Sequence, residues 1–444
     1  DMGRFTGRGG AGAVMGSKNL KGITVSGIKK IEVARSKEFK ERIREGVSAI
    51  NTSIAVFPYK LMGTTLAISR EFESGDVPTK NFQLGMWEKS KDLDGMKMAA
   101  KSYFKEMPPT CFACPVRCSK FTEVPDGPFK VDVGPAPQYE TLAALGSNCL
   151  NNNVESVIKS NDLCSRYGID TISTGVTISF IMEAYERGDI TSEQLGGIKP
   201  TWGNTDVIID LIRMIGERRG IGELLGEGVK RTAEKFGLSD KGYAIHVKGM
   251  EAPMHDPRSL FSFGVNFATS PRGACHLRGP SMLFDQGIAM IDAGVPNRST
   301  RFNQKEKGLA AKAAQDASNI IESLGLCVFC AMSVAMFGMF SKMAEALEPL
   351  TGEHVTVKEI WEIGERISNL QRAFNLREGV TAEADHLPSR LLEPFNEGLA
   401  KGQVPDVAVH IKEYYQARGW DPKGVPTEKT LTRLGLDWIT PNLH

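Results

Sequence analysis

The sequence predicts a mainly α-helical two-domain body with a remnant of a β-rich domain at its front. Three observations predict it. Apolar residues recur at helical spacing through much of the chain after Ser36, glycine- and proline-rich loops interrupt that pattern, and only the opening segment reads as strand.

In chain order, residues 3–34 read GRFTGRGGAGAVMGSKNLKGITVSGIKKIEVA, a glycine-rich loop followed by a β-rich stretch over 22–33. A protein rarely begins inside such a loop, so an upstream segment is expected, and 1–33 is read as the end of a β domain. Residues 34–249 are expected to form one helical domain and 250–444 a second. In the first, 154–164 (VESVIKSNDLC) and 206–215 (DVIIDLIRMI) carry helical periodicity. Residues 175–187 read as a buried helix ending at Gly188, and 222–236 as a helix stopped by Gly237. The stretches 124–137 (VPDGPFKVDVGPAP) and 250–258 (MEAPMHDPR) read as loops suited to forming a site. In the second domain, helices are expected around 357–376. The uncharged run 323–341 (SLGLCVFCAMSVAMFGMFS) approaches the length of a membrane span, but its Cys, Gly and Ser content and its lack of flanking anchors favour a buried segment followed by a core helix.

The bulk numbers exclude some functions. With 54 basic and 53 acidic side chains, no charge excess draws the chain to nucleic acid or an anionic membrane, and basic runs are absent. The 8 cysteines are too few for a disulfide scaffold in a chain of 444 residues. Three of them crowd together, which points to metal binding in a reducing compartment, the cytoplasm.

That crowd, Cys111-Phe-Ala-Cys114-Pro-Val-Arg-Cys118, is the strongest local signal. Iron–sulfur clusters need thiolates at short spacing so that one loop wraps several corners, and a [4Fe–4S] cluster then needs a fourth ligand from elsewhere. Structural zinc is the rival, but it is usually held by two separated pairs of ligands. The front loop, Gly7-Arg8-Gly9-Gly10-Ala11-Gly12, satisfies G-x-G-x-x-G but not its required strand–loop–helix setting, because a strand-like segment, GITV, is expected to follow it. What remains is either a phosphate-holding loop with Arg8 and Lys18, or a plain turn. Ser165-Arg-Tyr-Gly168-Ile169-Asp170 and Glu322-Ser-Leu-Gly325-Leu326-Cys327 share one form, suited to two similar ligands or matched by coincidence. Glu140 follows a proline-rich loop, His276 lies among small residues in PRGACHLR, and His255 lies in MHDPR. A lone histidine is more often structural than catalytic.

Taken together, these motifs resemble the aldehyde ferredoxin oxidoreductase family of tungsten enzymes over essentially the whole chain. The marks are RGGAGAVMGSKNLKGI, CFACPVRC, YETLAALGSN, YGIDTISTG, ATSPRGACHLRG, LGLC and RAFNLREG, in that order. The resemblance implies helical domains like the family's second and third, and a further β-rich region ahead of the glycine loop. It implies tungsten or molybdenum held by two pterins, with Mg bridging the pterin phosphates, and a [4Fe–4S] cluster on Cys111, Cys114, Cys118 and Cys327. Arg8, Gly9 and Gly10 would touch cofactor phosphate and pterin edge. The pterin loops would be Ser165, Gly168, Ile169 and Asp170, and Glu322, Gly325, Leu326 and Cys327. Ser165 and Glu322 stand where the family usually shows Asp. Glu140 and His276 match the family's residues near the metal, which implies oxidation of an aldehyde to a carboxylic acid with oxygen from water. Glu140 would be the base and His276 the donor to the carbonyl oxygen, and ferredoxin would take the electrons. A homodimer or a partner iron–sulfur subunit would suit the same reading.

Overall fold

The computed structural model describes residues 5–105, 111–287, 295, 300–334 and 338–442. The body is mainly helical. Its centre is the helix Thr171–Glu186, buried around nearly its whole circumference, as an apolar segment without a polar face must be. Asp170 starts this helix, its carboxylate accepting the Ser173 N–H at 2.8 Å. The helix lies against Tyr139–Leu145 at Gly175, where an added Cβ would sit 2.5 Å from the Ala144 carbonyl oxygen, so only glycine permits that approach. Val154–Tyr167 and Thr205–Glu217 pack alongside, each capped by an asparagine side chain at its N-terminus.

The largest apolar core joins these helices to residues beyond 249. Leu142, Val176 and Phe180 share it with Leu260, Phe263, Phe267 and Leu387. A second cluster is built on Lys307–Ser323, Met339–Thr351 and Val357–Arg377, with Phe340 tilted against Trp361 at 4.5 Å. Thr356 and Glu359 form a reciprocal capping box at the start of Val357–Arg377.

Four details differ from the sequence expectations. The glycine loop leads directly into a helix, Ala11–Ser17, and 21–33 contains no strand. Ile23, Val25, Ile28 and Ile31 are 72%, 87%, 99% and 86% exposed: their β-branched side chains suit a strand, but no described strand lies beside them. The stretch 124–137 is not all loop. Val131–Pro135 pairs antiparallel with Phe121–Val124, which pairs in turn with Phe104–Lys105. The helix expected over 222–236 is two helices, Gly222–Leu225 and Val229–Phe236, because Glu251 Oε1 accepts the Val229 N–H at 2.8 Å and starts a new helix there. Gly237 ends it in the left-handed conformation, as predicted. Lastly, the start of 323–341 is not buried: Leu326 is 44% exposed and Cys327 is exposed, before a short helix at Val328–Met332. Among the described residues no helix is long and apolar enough to cross a membrane. All 8 cysteines are free.

Candidate functional site

Two matching helix ends frame the site. Val154–Tyr167 terminates at Gly168, φ +70°, with the Ile169 N–H returning to the Cys164 carbonyl at 3.0 Å. Lys307–Ser323 terminates at Gly325, φ +65°, with the Leu326 N–H returning to the Ile321 carbonyl at 3.0 Å. The likeness of the two segments in sequence is therefore a shared helix-stop geometry, which glycine's tolerance of positive φ makes possible. An added Cβ at either glycine would meet open space. The next residues differ in use: Asp170 caps the following helix through its side chain, whereas Cys327 precedes its short helix without a side-chain cap. Glu322 is paired with Arg278, a partner that the sequence reading did not single out although it lies two residues after His276.

The first helix end opens on two clefts. One, of about 630 Å³, includes Cys111, Cys118, Thr141, Ser165 and Asp170 in its lining; the other, of about 1130 Å³, includes Gly10, Gly168, Ile169, Ser173 and Glu251. Phe5 and Asp170 line both. Arg8 enters here, donating to the Glu251 carbonyl oxygen, with its Nε 3.5 Å from Asp170 Oδ2. Arg8 Nε and Nη1 and Arg272 Nε are buried without a hydrogen-bond partner among the described residues. Beside them Gly9 and Gly10 hold φ of +91° and +81°, and an added Cβ on Gly9 would lie 3.8 Å from Arg272 Nη1. Buried guanidinium donors left unpaired next to an open glycine turn suit an anionic, hydrogen-bonding group such as a cofactor phosphate.

Glu140 stands in the first turn of Tyr139–Leu145. Its Oε2 accepts the Met254 N–H at 2.8 Å, and its Oε1 lies 3.4 Å from His276 Nε2 and 3.6 Å from His255 Nε2. Burial pushes the Glu140 carboxyl above its ordinary range, opposed by His255, the Met254 N–H and Arg8. Burial, reinforced by His255, Arg8 and Arg272, holds His276 well below the usual histidine value, so its imidazole is neutral. At His255 burial also disfavours charge, but Asp76 and Glu140 outweigh it and raise the pKa to about 9. Glu251, the other carboxylate of the 250–258 loop near this site, is committed elsewhere: Oε1 accepts the Val229 N–H at 2.8 Å and Oε2 accepts from Ser173 Oγ at 2.7 Å.

The cysteine triplet and Cys327 come together from distant parts of the chain. Burial raises the Cys118 thiol to about 11, helped by the charges of Cys327, Cys114 and Cys111. A hydrogen bond from Cys330 lowers Cys327 to about 6, and Cys330 also bonds Cys114. Cys330 is thus a fifth thiol at this locus. Among the described residues no group of three or more Cys, His, Asp or Glu side chains is closed tightly enough to hold a metal ion as it stands. The donor set nonetheless fits an iron–sulfur cluster in kind: soft thiolates from one tight loop and one remote segment.

Residues 39–436 match the family model described as aldehyde ferredoxin oxidoreductase, domains 2 and 3. The chain is 37% identical over 440 residues to the tungsten-containing aldehyde ferredoxin oxidoreductase of Pyrococcus furiosus, a match covering 98% of this chain and 69% of that protein. It is 30% identical over 448 residues to the aliphatic sulfonate oxidoreductase, WOR-like subunit, of Pyrococcus furiosus, covering 97% of this chain and 66% of the relative. Among solved structures it shares the fold of the active-site complex BamBC of benzoyl coenzyme A reductase, with a TM-score of 0.77 at 18% identity over 98% of this chain and 70% of that one.

Proposed function

This chain belongs to the aldehyde ferredoxin oxidoreductase family, a family of oxidoreductases, and from that premise we propose that it oxidises an aldehyde to a carboxylic acid with water as the oxygen source. The observation that carries the reading is the placement of Glu140: one carboxylate oxygen is fixed by a backbone N–H, and the other is left between two histidines without a hydrogen-bond partner among the described residues.

Arg8, Gly9, Gly10, Ser165, Gly168, Ile169 and Asp170 would hold one side of a tungsten or molybdenum bis-pterin group. Glu322, Gly325 and Leu326 would hold the other. Cys111, Cys114, Cys118 and Cys327 would carry a [4Fe–4S] cluster. When bound, these groups would supply the two-electron redox chemistry of the oxidation, with ferredoxin as the one-electron acceptor.

The chain's own side chains supply the proton chemistry. Glu140 Oε1 takes a proton from the attacking water or the aldehyde hydrate, a step worth about 10²–10⁴ in rate for a positioned base. His276, kept neutral by its surroundings, donates through a ring N–H to the carbonyl oxygen and polarises it. Arg8 and Arg272 would offer their unpaired N–H groups to the anionic cofactor. The test is elemental analysis of the anaerobically purified enzyme, together with turnover of an aldehyde with a dye acceptor. Tungsten or molybdenum beside iron, with carboxylic acid formed, is the expected result; iron without either metal would instead mark an electron-transfer subunit.

A second reading, action of the same cofactor on a different substrate, is favoured by the match to a relative described as an aliphatic sulfonate oxidoreductase subunit. Product analysis with aldehyde and alkyl sulfonate offered in parallel separates the two.

A further inference from the structure

Glu140 and His276 leave one buried titratable group beside them unused, His255. It is 6% exposed and lies between the Tyr139 and Phe263 rings, with centroids 5.1 Å and 5.2 Å away. Its Nδ1 lies 2.5 Å from Oδ2 of Asp76, a residue 179 positions away and 0% exposed. The other Asp76 oxygen, Oδ1, accepts the Asp256 N–H at 2.8 Å. A carboxylate only accepts, so the proton between the two side chains sits on Nδ1, and this bond fixes the orientation of the ring. His255 Nε2 then turns to Glu140 Oε1 at 3.6 Å.

Resting on the proposed base role of Glu140, we propose that Asp76 is a positioning residue: it holds His255 as an imidazolium whose Nε2–H faces Glu140 and keeps that buried carboxylate ionised. The logic is that of a carboxylate orienting a histidine toward a reacting group. The plain alternative is that Asp76 merely fastens the 250–258 loop. A backbone bond already does so in part, because the Asp256 N–H is shared between the Asp76 backbone carbonyl oxygen, at 3.2 Å, and the side-chain Oδ1, at 2.8 Å, an oxygen that an asparagine at position 76 would keep as an acceptor. The imidazole contact is additional to that anchor. Other charged and titratable groups surround the pair: His276, Arg8 and Asp170 face Glu140, Glu71 faces His255, and Arg301 faces Asp76. Of the influences that oppose burial at Glu140, His255 is the largest.

Asp76→Asn in the metal-loaded enzyme tests this with two readouts. At neutral pH the variant should show an infrared protonated-carboxyl stretch that is absent from wild type and abolished in the Asp76→Asn/Glu140→Gln double variant. The acidic limb of its kcat/KM–pH profile should move up by about one unit, roughly a tenfold loss below that limb, with activity recovering as pH rises. His255→Gln should reproduce both effects, and it carries the test if circular dichroism shows Asp76→Asn unfolded. Absence of the carboxyl stretch with an unmoved limb, or a loss equal at every pH, overturns the proposal. If the loaded wild type oxidises no aldehyde, the reaction assignment fails, and the infrared readout still decides the role of Asp76.

Discussion

Met254 and Glu140, 114 residues apart in the chain, are joined by a 2.8 Å hydrogen bond from the Met254 N–H to Glu140 Oε2. The donor is backbone and cannot be removed by changing the side chain. It commits one carboxylate oxygen to an acceptor role and leaves Oε1 to face His276. In Glu140→Gln the amide oxygen keeps the Met254 bond, so an NH2 group replaces the basic oxygen. Turnover should fall by about 10²–10⁴ with metal and iron content unchanged. Near-normal turnover at full metal would remove Glu140 as the base and make His255 the next residue to examine, since both oxygens of Glu251 are occupied.

His276→Asn should slow aldehyde turnover while tungsten or molybdenum stays bound, because His276 is proposed as a donor to substrate and not as a ligand. The check is metal analysis and steady-state kinetics on the same preparation. Loss of metal together with activity would move His276 into the cofactor-holding set.

Cys327→Ala should leave three thiolates and a labile corner, with iron falling toward three per chain or the cluster lost. Cys330 lies within hydrogen-bonding reach of Cys327 and Cys114, so it is the one nearby thiol placed to substitute. Four irons and unchanged spectra in Cys327→Ala, followed by loss in Cys327→Ala/Cys330→Ala, would reassign the ligand. Iron analysis and visible absorption read both variants.

The His255–Asp76 pair should leave a mark on stability. Its folded-state pKa, about 9, lies above the ordinary 6.5. The stabilisation it contributes is therefore fully present below about pH 6.5 and lost as pH rises through about 9. Melting temperatures of wild type and Asp76→Asn should differ most at the acid end of that window and converge above it. A gap that stays constant across the window would mean that His255 does not change charge there.

Gly175→Ala should destabilise the fold without touching any group of the site. The new methyl would sit 2.5 Å from the Ala144 carbonyl oxygen and 2.6 Å from its carbon, backbone that cannot swing aside. Overpacking of this kind costs about 1–3 kcal/mol, read as a lower urea midpoint with an unchanged slope.

The parts legible in the sequence are those governed by neighbours in the chain. Val154–Tyr167, Thr205–Glu217 and Val357–Arg377 announce themselves by apolar spacing, and Gly168 and Gly237 by their place after a helical run. What failed depends on contacts across the chain. The β-branched residues at 23–31 make a strand only where another strand accepts their hydrogen bonds. Val131–Pro135 looked like loop because of its flanking Gly and Pro, yet Phe121–Val124 gives it a partner. The split at Gly228 needed Glu251, which no local pattern reveals. Glu140, His276 and Cys327 were reached through resemblance and the Cys triplet through spacing, while Asp76 sits in an unremarkable loop and could be found only in three dimensions.

The 179-residue separation of Asp76 and His255 also bears on how the chain folds. Arg8, Glu140, Asp170 and His276 come from other distant segments, so no short stretch contains even half of the site. Closing loops of that length costs conformational entropy before any contact between these groups forms. Such contacts reward the chain only after the helices around them have docked, which places the site among the slow, late steps of assembly. A peptide or proteolytic fragment that preserves good helices will therefore still lack the site.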